Sequence, residues 1–480
     1  MFLKKKYSFS TLLPLVLWTF CQTTADTDVC DSVQPGIYCS CDIMYKETKL
    51  SCFIFNLTLL AKNDAWSSIS KVENVIALKL QSKLVAKLDY IPIQTLEDLR
   101  TLETFTLKEG NLGNLKSYSI SGLKILRNLE LDNNEITSLQ NHAISNLPKL
   151  KKLTLSENLL QELLANTLTG LDELQELYLD RNNISRIESC AFCELQNLRE
   201  LELWGNQITD LTEYTFRGLR YLKRLDLYKN QIRILNDKVF QSMPKLQEID
   251  LKQNLISHIS SRAFQELNKL QILYLNGNQL KVLPDEVFKL LPNLRTVELY
   301  SNSFNTLQAA VLENMENVKD EHFRLGLKDN PYICDCQLVW VNTYLKVNRS
   351  HQFMRDLQEM KCIMDENNSE EEDSKKNVTI TEYLKIHNCT KPAKKSKFRV
   401  TTTFRSVTKA TESVPVELFS SKSKVLPTED SVYVSDFEDE EDVANEVENS
   451  NTSGCVRTAA FNYFINCALL LLIKSTGAIF

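Results

Sequence analysis

From Leu102 onward the chain restarts one eleven-residue phrase every 24 residues. LETFTLKEGNL begins at Leu102, LRNLELDNNEI at Leu126, LKKLTLSENLL at Leu150, LQELYLDRNNI at Leu174 and LRELELWGNQI at Leu198. LKRLDLYKNQI, LQEIDLKQNLI, LQILYLNGNQL and LRTVELYSNSF follow at 222, 246, 270 and 294. A looser copy lies around Val75 to Leu84, and a partial one, FRLGLKDN, follows the last. No single copy can bury its own leucines, so neighbours must stack into a solenoid. A leucine-rich coiled coil is the structural rival. It fails because 24 is not a multiple of seven and because Pro148, Pro244, Pro292, Gly170 and Gly218 interrupt any continuous helix.

Each position in the phrase has a physical task. Alternation in L-x-L describes a short strand with leucines inside and the x residues outside. Asn134, Asn158, Asn182, Asn206, Asn230, Asn254, Asn278 and Asn302 recur where the chain leaves the strand. An amide both donates and accepts, so this column suits backbone groups of adjacent coils that would otherwise be buried unpaired. Further round each coil stand Ile144, Leu168, Phe192, Phe216, Phe240, Phe264, Phe288 and Leu312, which read as a spine filling the far side of the core. Strands sit about 4.8 Å apart while the spine side is bulkier, so the stack curves with its parallel sheet on the concave face. About eleven strands make a sheet on the order of 50 Å long.

The phrase resembles the leucine-rich repeat, L-x-x-L-x-L-x-x-N-x-[LI], in the 24-residue form of extracellular proteins, including cell-surface receptors and adhesion proteins. The resemblance covers roughly residues 30 to 390. It implies an α/β solenoid: a horseshoe with a concave parallel β-sheet and disulfide-stapled caps at both ends. NPYICDCQLVW, starting at Asn330, resembles the family's C-terminal cap, which implies Cys334–Cys362 and Cys336–Cys389 pairs. Leu338, Trp340 and Tyr344 would then lie on a helix shielding the last repeat. At the other end Cys30, Cys39, Cys41 and Cys52 resemble the N-terminal cap, implying Cys30–Cys41 and Cys39–Cys52. Such caps cover the raw ends of a solenoid.

The expected organisation is a signal peptide over 1–25, an N-terminal cap over 26–70, and a solenoid of ten to eleven repeats over 71–330. A C-terminal cap over 331–390, a stalk over 391–450 and an anchor signal over 451–480 complete it. Lys4, Lys5 and Lys6 precede the apolar run TLLPLVLWTF and the small residues before Asp26, the order of a secretory signal. Ten apolar residues are too few for a membrane span. The stalk is basic and rich in Ser and Thr, then acidic in SDFEDEED, with Tyr433 a candidate for sulfation against the plainer reading of a solvated spacer. Asn451 to Cys455, a short spacer and an apolar terminus suggest glycosylphosphatidylinositol attachment at Ser453 or Gly454. Lys474, Asn462 and Asn466 interrupt that apolar segment, so a short span or free secretion stays open.

Chemistry of the catalytic kind has little to stand on. Eleven glycines in 480 residues leave few phosphate-cradling loops, and no catalytic or nucleotide-binding motif occurs. The five histidines are scattered, so neither a metal nor a cofactor is expected. Cys190 and Cys193 form a C-x-x-C, but it flanks Phe192 on the spine; a local structural disulfide fits better than a redox site. The expectation is a non-enzyme.

The outward strand positions carry the functional signal. Tyr178, Glu202, Asp226, Asp250, Tyr274 and Glu298 lie between the strand leucines; Trp204, Tyr228 and Tyr300 lie just past the second. Aromatics rimmed by carboxylates on a solvent face suit a protein ligand, one with a basic surface. Tyrosine also simply suits a strand, and a carbohydrate could use the same platform. N-x-[ST] sequons stand at Asn56, Asn183, Asn348, Asn367, Asn377, Asn388 and Asn451, and sugars at the four between 348 and 388 would leave the concave face free. Asn388 has Cys389 inside its sequon, which sets the two uses against each other. The reading is therefore a protein-binding or adhesion receptor on the extracellular face of the plasma membrane, reached through the secretory pathway and signalling, if at all, through a co-receptor. A secreted matrix or inhibitor protein is the alternative, and a redox protein a distant third. With a net charge of −6 the chain is not expected to bind nucleic acid.

Overall fold

A computed structural model describes residues 29–62, 65–83, 86–347, 350–365 and 375–390. The signal segment, the stalk with Tyr433, the sequons at Asn348, Asn367 and Asn451, and the attachment positions Ser453 and Gly454 lie outside the described residues.

The repeats build one face of a 14-stranded sheet. It opens with an antiparallel set, β1 (Ser32–Gln34), β2 (Ile37–Met44) and β3 (Glu47–Ile54). From β3 onward every pairing is parallel: β4 (Val75–Ser82), β5 (Thr104–Lys108), β6 (Asn128–Glu130), β7 (Lys152–Thr154), β8 (Glu176–Tyr178) and β9 (Glu200–Glu202). The run ends with β10 (Arg224–Asp226), β11 (Glu248–Asp250), β12 (Ile272–Tyr274), β13 (Thr296–Glu298) and β14 (Arg324–Gly326). Eleven coils, β4 to β14, therefore form the expected solenoid. Leu129, Leu153, Leu177, Leu201 and Leu225 are register partners, each at most 1% exposed. Period-2 alternation thus puts one continuous apolar file behind the sheet.

Behind that file the spine closes the core. Phe216, Phe240, Phe264 and Phe288 stack in series with centroids 6.2, 5.9 and 6.5 Å apart. Where the spine residue is aliphatic, the convex side pairs as short strands at Ile120–Ser121, Ile144–Ser145 and Leu168–Thr169. Where it is phenylalanine, from Phe192 onward, the same segment is a turn. Cys190 and Cys193 are disulfide-bonded across the first of these turns, with Cys190 at φ 68°. Gly218 lies against it in the next coil at φ 103°, and a Cβ there would stand 2.6 Å from the Cys193 Cα. Only glycine fits that approach.

The asparagine column is the polar seam of the same core. Asn206 Oδ1 accepts from the Ile184 N–H at 3.0 Å, while its Nδ2 donates to Leu179 O at 3.0 Å and Leu203 O at 2.9 Å. The pattern repeats at Asn230, Asn254 and Asn278. One side chain thereby satisfies backbone groups that water cannot reach.

Both ends of the solenoid are closed by bonded cysteines. Disulfides join Cys30 to Cys41 and Cys39 to Cys52, and Cys39 and Cys52 are also cross-strand partners in β2 and β3. Disulfides also join Cys334 to Cys362 and Cys336 to Cys389. Between the two cysteines of C-D-C, the Asp335 side chain accepts from the Gln337 N–H at 2.8 Å and starts a 3-10 turn over Cys336–Val339. That turn runs into α1 (Trp340–Val347), followed by α2 (His351–Glu359), β15 (Lys361–Asp365), β16 (Lys375–Thr379) and α3 (Ile380–Ile386). Leu338, Trp340 and Tyr344 are buried, and the Trp340 indole N–H donates to Leu307 O at 2.8 Å. Leu338 sits on the 3-10 turn rather than on α1 because the Asp335 cap starts that turn over Cys336–Val339, directly before α1.

Candidate binding surface

Parallel register aligns the outward residues into columns. Tyr178, Glu202, Asp226, Asp250, Tyr274, Glu298 and Gly326 are successive strand partners. Three carboxylates in direct succession repel one another, since like charges on adjacent strands are close. Burial pushes Glu202 up to about 7, with Asp180, Asp226 and Glu200 adding to the effect. Burial likewise pushes Asp226 up to about 6 against the Tyr228 N–H, which donates to Asp226 Oδ1 at 2.9 Å. Burial, then Asp356, raises Glu298.

Beside this column, Trp204 and Tyr228 stand on adjacent coils with ring centroids 6.4 Å apart and planes tilted by 35°. The Arg181 guanidinium lies 5.0 Å from the Trp204 ring, and Lys252 Nζ lies 5.7 Å from Tyr228 and 4.6 Å from Tyr274. Lys152 Nζ is 5.1 Å from the Tyr178 ring. The aromatics are thus held between cations, a geometry the ring quadrupole favours. The Tyr178 phenol is driven upward by burial and by Glu200 and Glu176, and Tyr274 upward by burial and Glu248.

Not every outward position is free. Asp250 is only 8% exposed, and its carboxylate is paired to Lys252 Nζ at 2.6 Å. A concave sheet crowds its side chains, so a short aspartate sinks between longer neighbours while Tyr300 stays 38% exposed. Tyr178, Glu202, Trp204, Asp226, Tyr228, Tyr274 and Glu298 are half-buried, each presenting an edge to solvent.

A third outward column, one residue before each inward strand leucine, escaped the sequence reading. Lys152, Glu176, Glu200, Arg224, Glu248 and Arg324 belong to it. Arg224 bridges Glu200 at 2.8 Å and Glu248 at 3.6 Å, so it separates carboxylates that would otherwise face each other. The 24-residue period marks these positions as plainly as the other two columns.

Asn183 is exposed, as are Asn377 on β16 and Asn388, while Asn56 uses its Oδ1 to accept the Leu59 N–H at 3.0 Å. Cys389, inside the Asn388 sequon, is the bonded and buried partner of Cys336. Among the described residues no group of three or more His, Cys, Asp or Glu is arranged to hold a metal, and no helix is long and apolar enough to cross a membrane.

Comparison with known proteins points the same way as the coil geometry. The family described as leucine rich repeat matches residues 100–160, 124–184, 148–208, 196–252 and 222–280. Connectin of Drosophila melanogaster is 30% identical over 91 residues, which is 19% of this chain and 13% of Connectin. Among solved structures, a chain of the Drosophila Toll–Spatzle complex aligns with a TM-score of 0.47 and 19% identity, over 63% of this chain and 44% of that one. A chain of the TLR13–ssRNA13 complex aligns with a TM-score of 0.46 and 22% identity, over 62% of this chain and 49% of that one. A chain of the octameric complex of Latrophilin 3, Unc5D and FLRT2 aligns with a TM-score of 0.33 and 25% identity, over 48% of this chain and 84% of that one. This chain spans about an eighth of Connectin and less than half of the Toll-complex chain. With its 24-residue coils, asparagine seam and disulfide-bonded ends, the chain folds as a capped leucine-rich-repeat solenoid, and its residues 100–280 match that repeat family.

Proposed function

We propose that the chain is an extracellular binding protein, a receptor or adhesion molecule whose concave face captures another protein. The observation that carries this reading is the Trp204–Tyr228 pair, ringed by Arg181, Lys252, Glu202 and Asp226. Half-buried, pre-positioned aromatics beside polar rims are where binding energy concentrates in protein interfaces. Two carboxylates held above their ordinary range gain from a cation brought by a partner, so the preferred ligand surface is basic. Connectin, 30% identical over 91 residues, is similar to this chain in its repeats. The five disulfides among the described residues fit an oxidising compartment.

The test is capture of surface and secreted proteins by the purified chain, with Trp204 and Tyr228 changed together to alanine. Capture lost at unchanged secretion supports the reading; capture unchanged refutes the site. Anchorage through Ser453 or Gly454 is the finer part of the proposal. Release from cells by a phosphatidylinositol-specific phospholipase supports it, while recovery from untreated medium favours a secreted binding protein.

A further inference from the structure

The concave column changes character at its last position. From β8 to β13 it presents Tyr178, Glu202, Asp226, Asp250, Tyr274 and Glu298, but on β14 it presents Gly326, with no side chain at all. The vacated space is a recess of about 360 Å³ where the sheet meets α2 of the C-terminal cap. A Cβ on Gly326 would stand 2.0 Å from Glu298 Oε2 and 3.2 Å from Tyr300 Cδ1, so the Glu298 carboxylate and the Tyr300 ring already share that recess. That volume has room for one long side chain.

Charge in the recess is unevenly settled. Asp356 is engaged by Lys328 Nζ at 3.2 Å and by Gln352 Nε2 at 3.1 Å, and Lys328 also pairs with Glu359. Lys328 is therefore spent. Glu298 has no such partner: among the described residues none donates a hydrogen bond to its carboxylate or lies within ion-pair distance of it, and Arg324 acts on it only from farther off. Three carboxylates line the recess against two cations, and its aromatic wall, Tyr300, is 38% exposed.

We infer that the recess over Gly326 is a socket for a single basic side chain, arginine in preference to lysine, carried by the protein that the concave face captures. A guanidinium can lie flat on the Tyr300 ring while its planar N–H fork meets the Glu298 carboxylate with two parallel hydrogen bonds, a bidentate geometry that an ammonium lacks. Because Glu298 and Tyr300 also belong to the proposed binding surface, the socket rests on that reading for its natural occupant. The recess itself does not. Its affinity for a cation falls as pH is lowered and the carboxyl, already raised by burial, takes up its proton.

The experiment titrates the purified chain with capped tripeptides, acetyl-Gly-Arg-Gly-amide and its citrulline counterpart, which keeps the shape and loses the charge. Saturable binding of the arginine peptide, about tenfold tighter than citrulline, is the expected result. Glu298→Gln should weaken arginine binding about tenfold, and Gly326→Ala, whose Cβ would push the Glu298 carboxylate aside at a position of ordinary backbone, should do the same. No saturable arginine binding, equal binding of the two peptides, or full binding by Glu298→Gln overturns the socket. A chain in which Trp204 and Tyr228 are both alanine separates the two ideas. If it keeps both protein capture and the arginine response, the binding-surface reading fails and the socket stands. If the parent chain captures protein through Trp204 and Tyr228 yet ignores arginine, the socket fails alone.

Discussion

The Trp204 indole and the Tyr228 ring stand side by side on consecutive coils, 6.4 Å between centroids, with Arg181 against the indole and Lys252 against the phenol ring. Neither aromatic is needed by the core, because the strand leucines behind them are already closed off from water. Their placement is therefore a property of the surface.

Single changes at this pair should separate binding from stability. Trp204→Ala is expected to weaken ligand capture by about 2 kcal/mol, roughly thirtyfold, with Trp204→Phe losing less than half of that. Unfolding stability should shift by no more than about 1 kcal/mol, since the ring is half-buried and outside the core. Surface plasmon resonance and thermal denaturation on the same samples check both halves. Equal losses in both would mean the indole is structural.

Glu202 makes stability depend on pH in an uncommon direction. Its carboxyl sits at about 7 in the folded chain and at 4.5 when unperturbed, so between these values the folded state holds a proton that the unfolded state has released. The contribution is thus fully present below about pH 4.5 and is lost as pH rises through about 7. Glu202→Gln should raise stability at pH 7.5 by about 1 to 2 kcal/mol, a figure reduced for the solvent that still reaches this group, and leave it nearly unchanged at pH 4.5. Denaturant titrations at the two pH values decide it.

Asn206 ties two adjacent coils together through one amide, accepting from Ile184 and donating to Leu179 in the preceding coil and to Leu203 in its own. Asn206→Ala should cost about 2 to 3 kcal/mol, because buried backbone groups lose partners that water cannot replace. Asn206→Asp should cost a comparable amount, since a carboxylate cannot donate to the two carbonyls. Hydrogen exchange should show the Ile184 amide opening first. A stable, protected Asn206→Ala chain would contradict the seam.

Phe240 stacks between Phe216 and Phe264, with centroids 6.2 and 5.9 Å away. Phe240→Ala should cost about 3 to 5 kcal/mol through the cavity it leaves, and Phe240→Leu no more than about 1.5 kcal/mol, because earlier coils already carry an aliphatic spine. Thermal denaturation of both variants gives the comparison.

Much of the architecture was legible because the repeat states the same constraint many times over. An apolar residue every second position, an amide every 24 residues and a spine residue every 24 residues can satisfy one another only by stacking. Outward-facing residues were legible as columns for the same reason. Their individual states were not. Asp250 stands in the column with Glu202 and Asp226, yet it alone is taken up by Lys252 at 2.6 Å. The cations beside the aromatics come from neighbouring coils, as with Lys152 at Tyr178 and Arg181 at Trp204, so linear spacing hides them unless the stacking register is applied.

The amino-acid order alone decided the period, the inside and outside of every strand, and the residues available to cap the ends. Periodicity acts locally and cumulatively, so short-range chemistry suffices to enforce it. The tertiary structure decided which charges cancel, how far each side chain sinks into the curved face, and where a missing side chain leaves room, as at Gly326. Those outcomes depend on distances between coils two dozen residues apart, and electrostatic and packing energies vary steeply with exactly such distances.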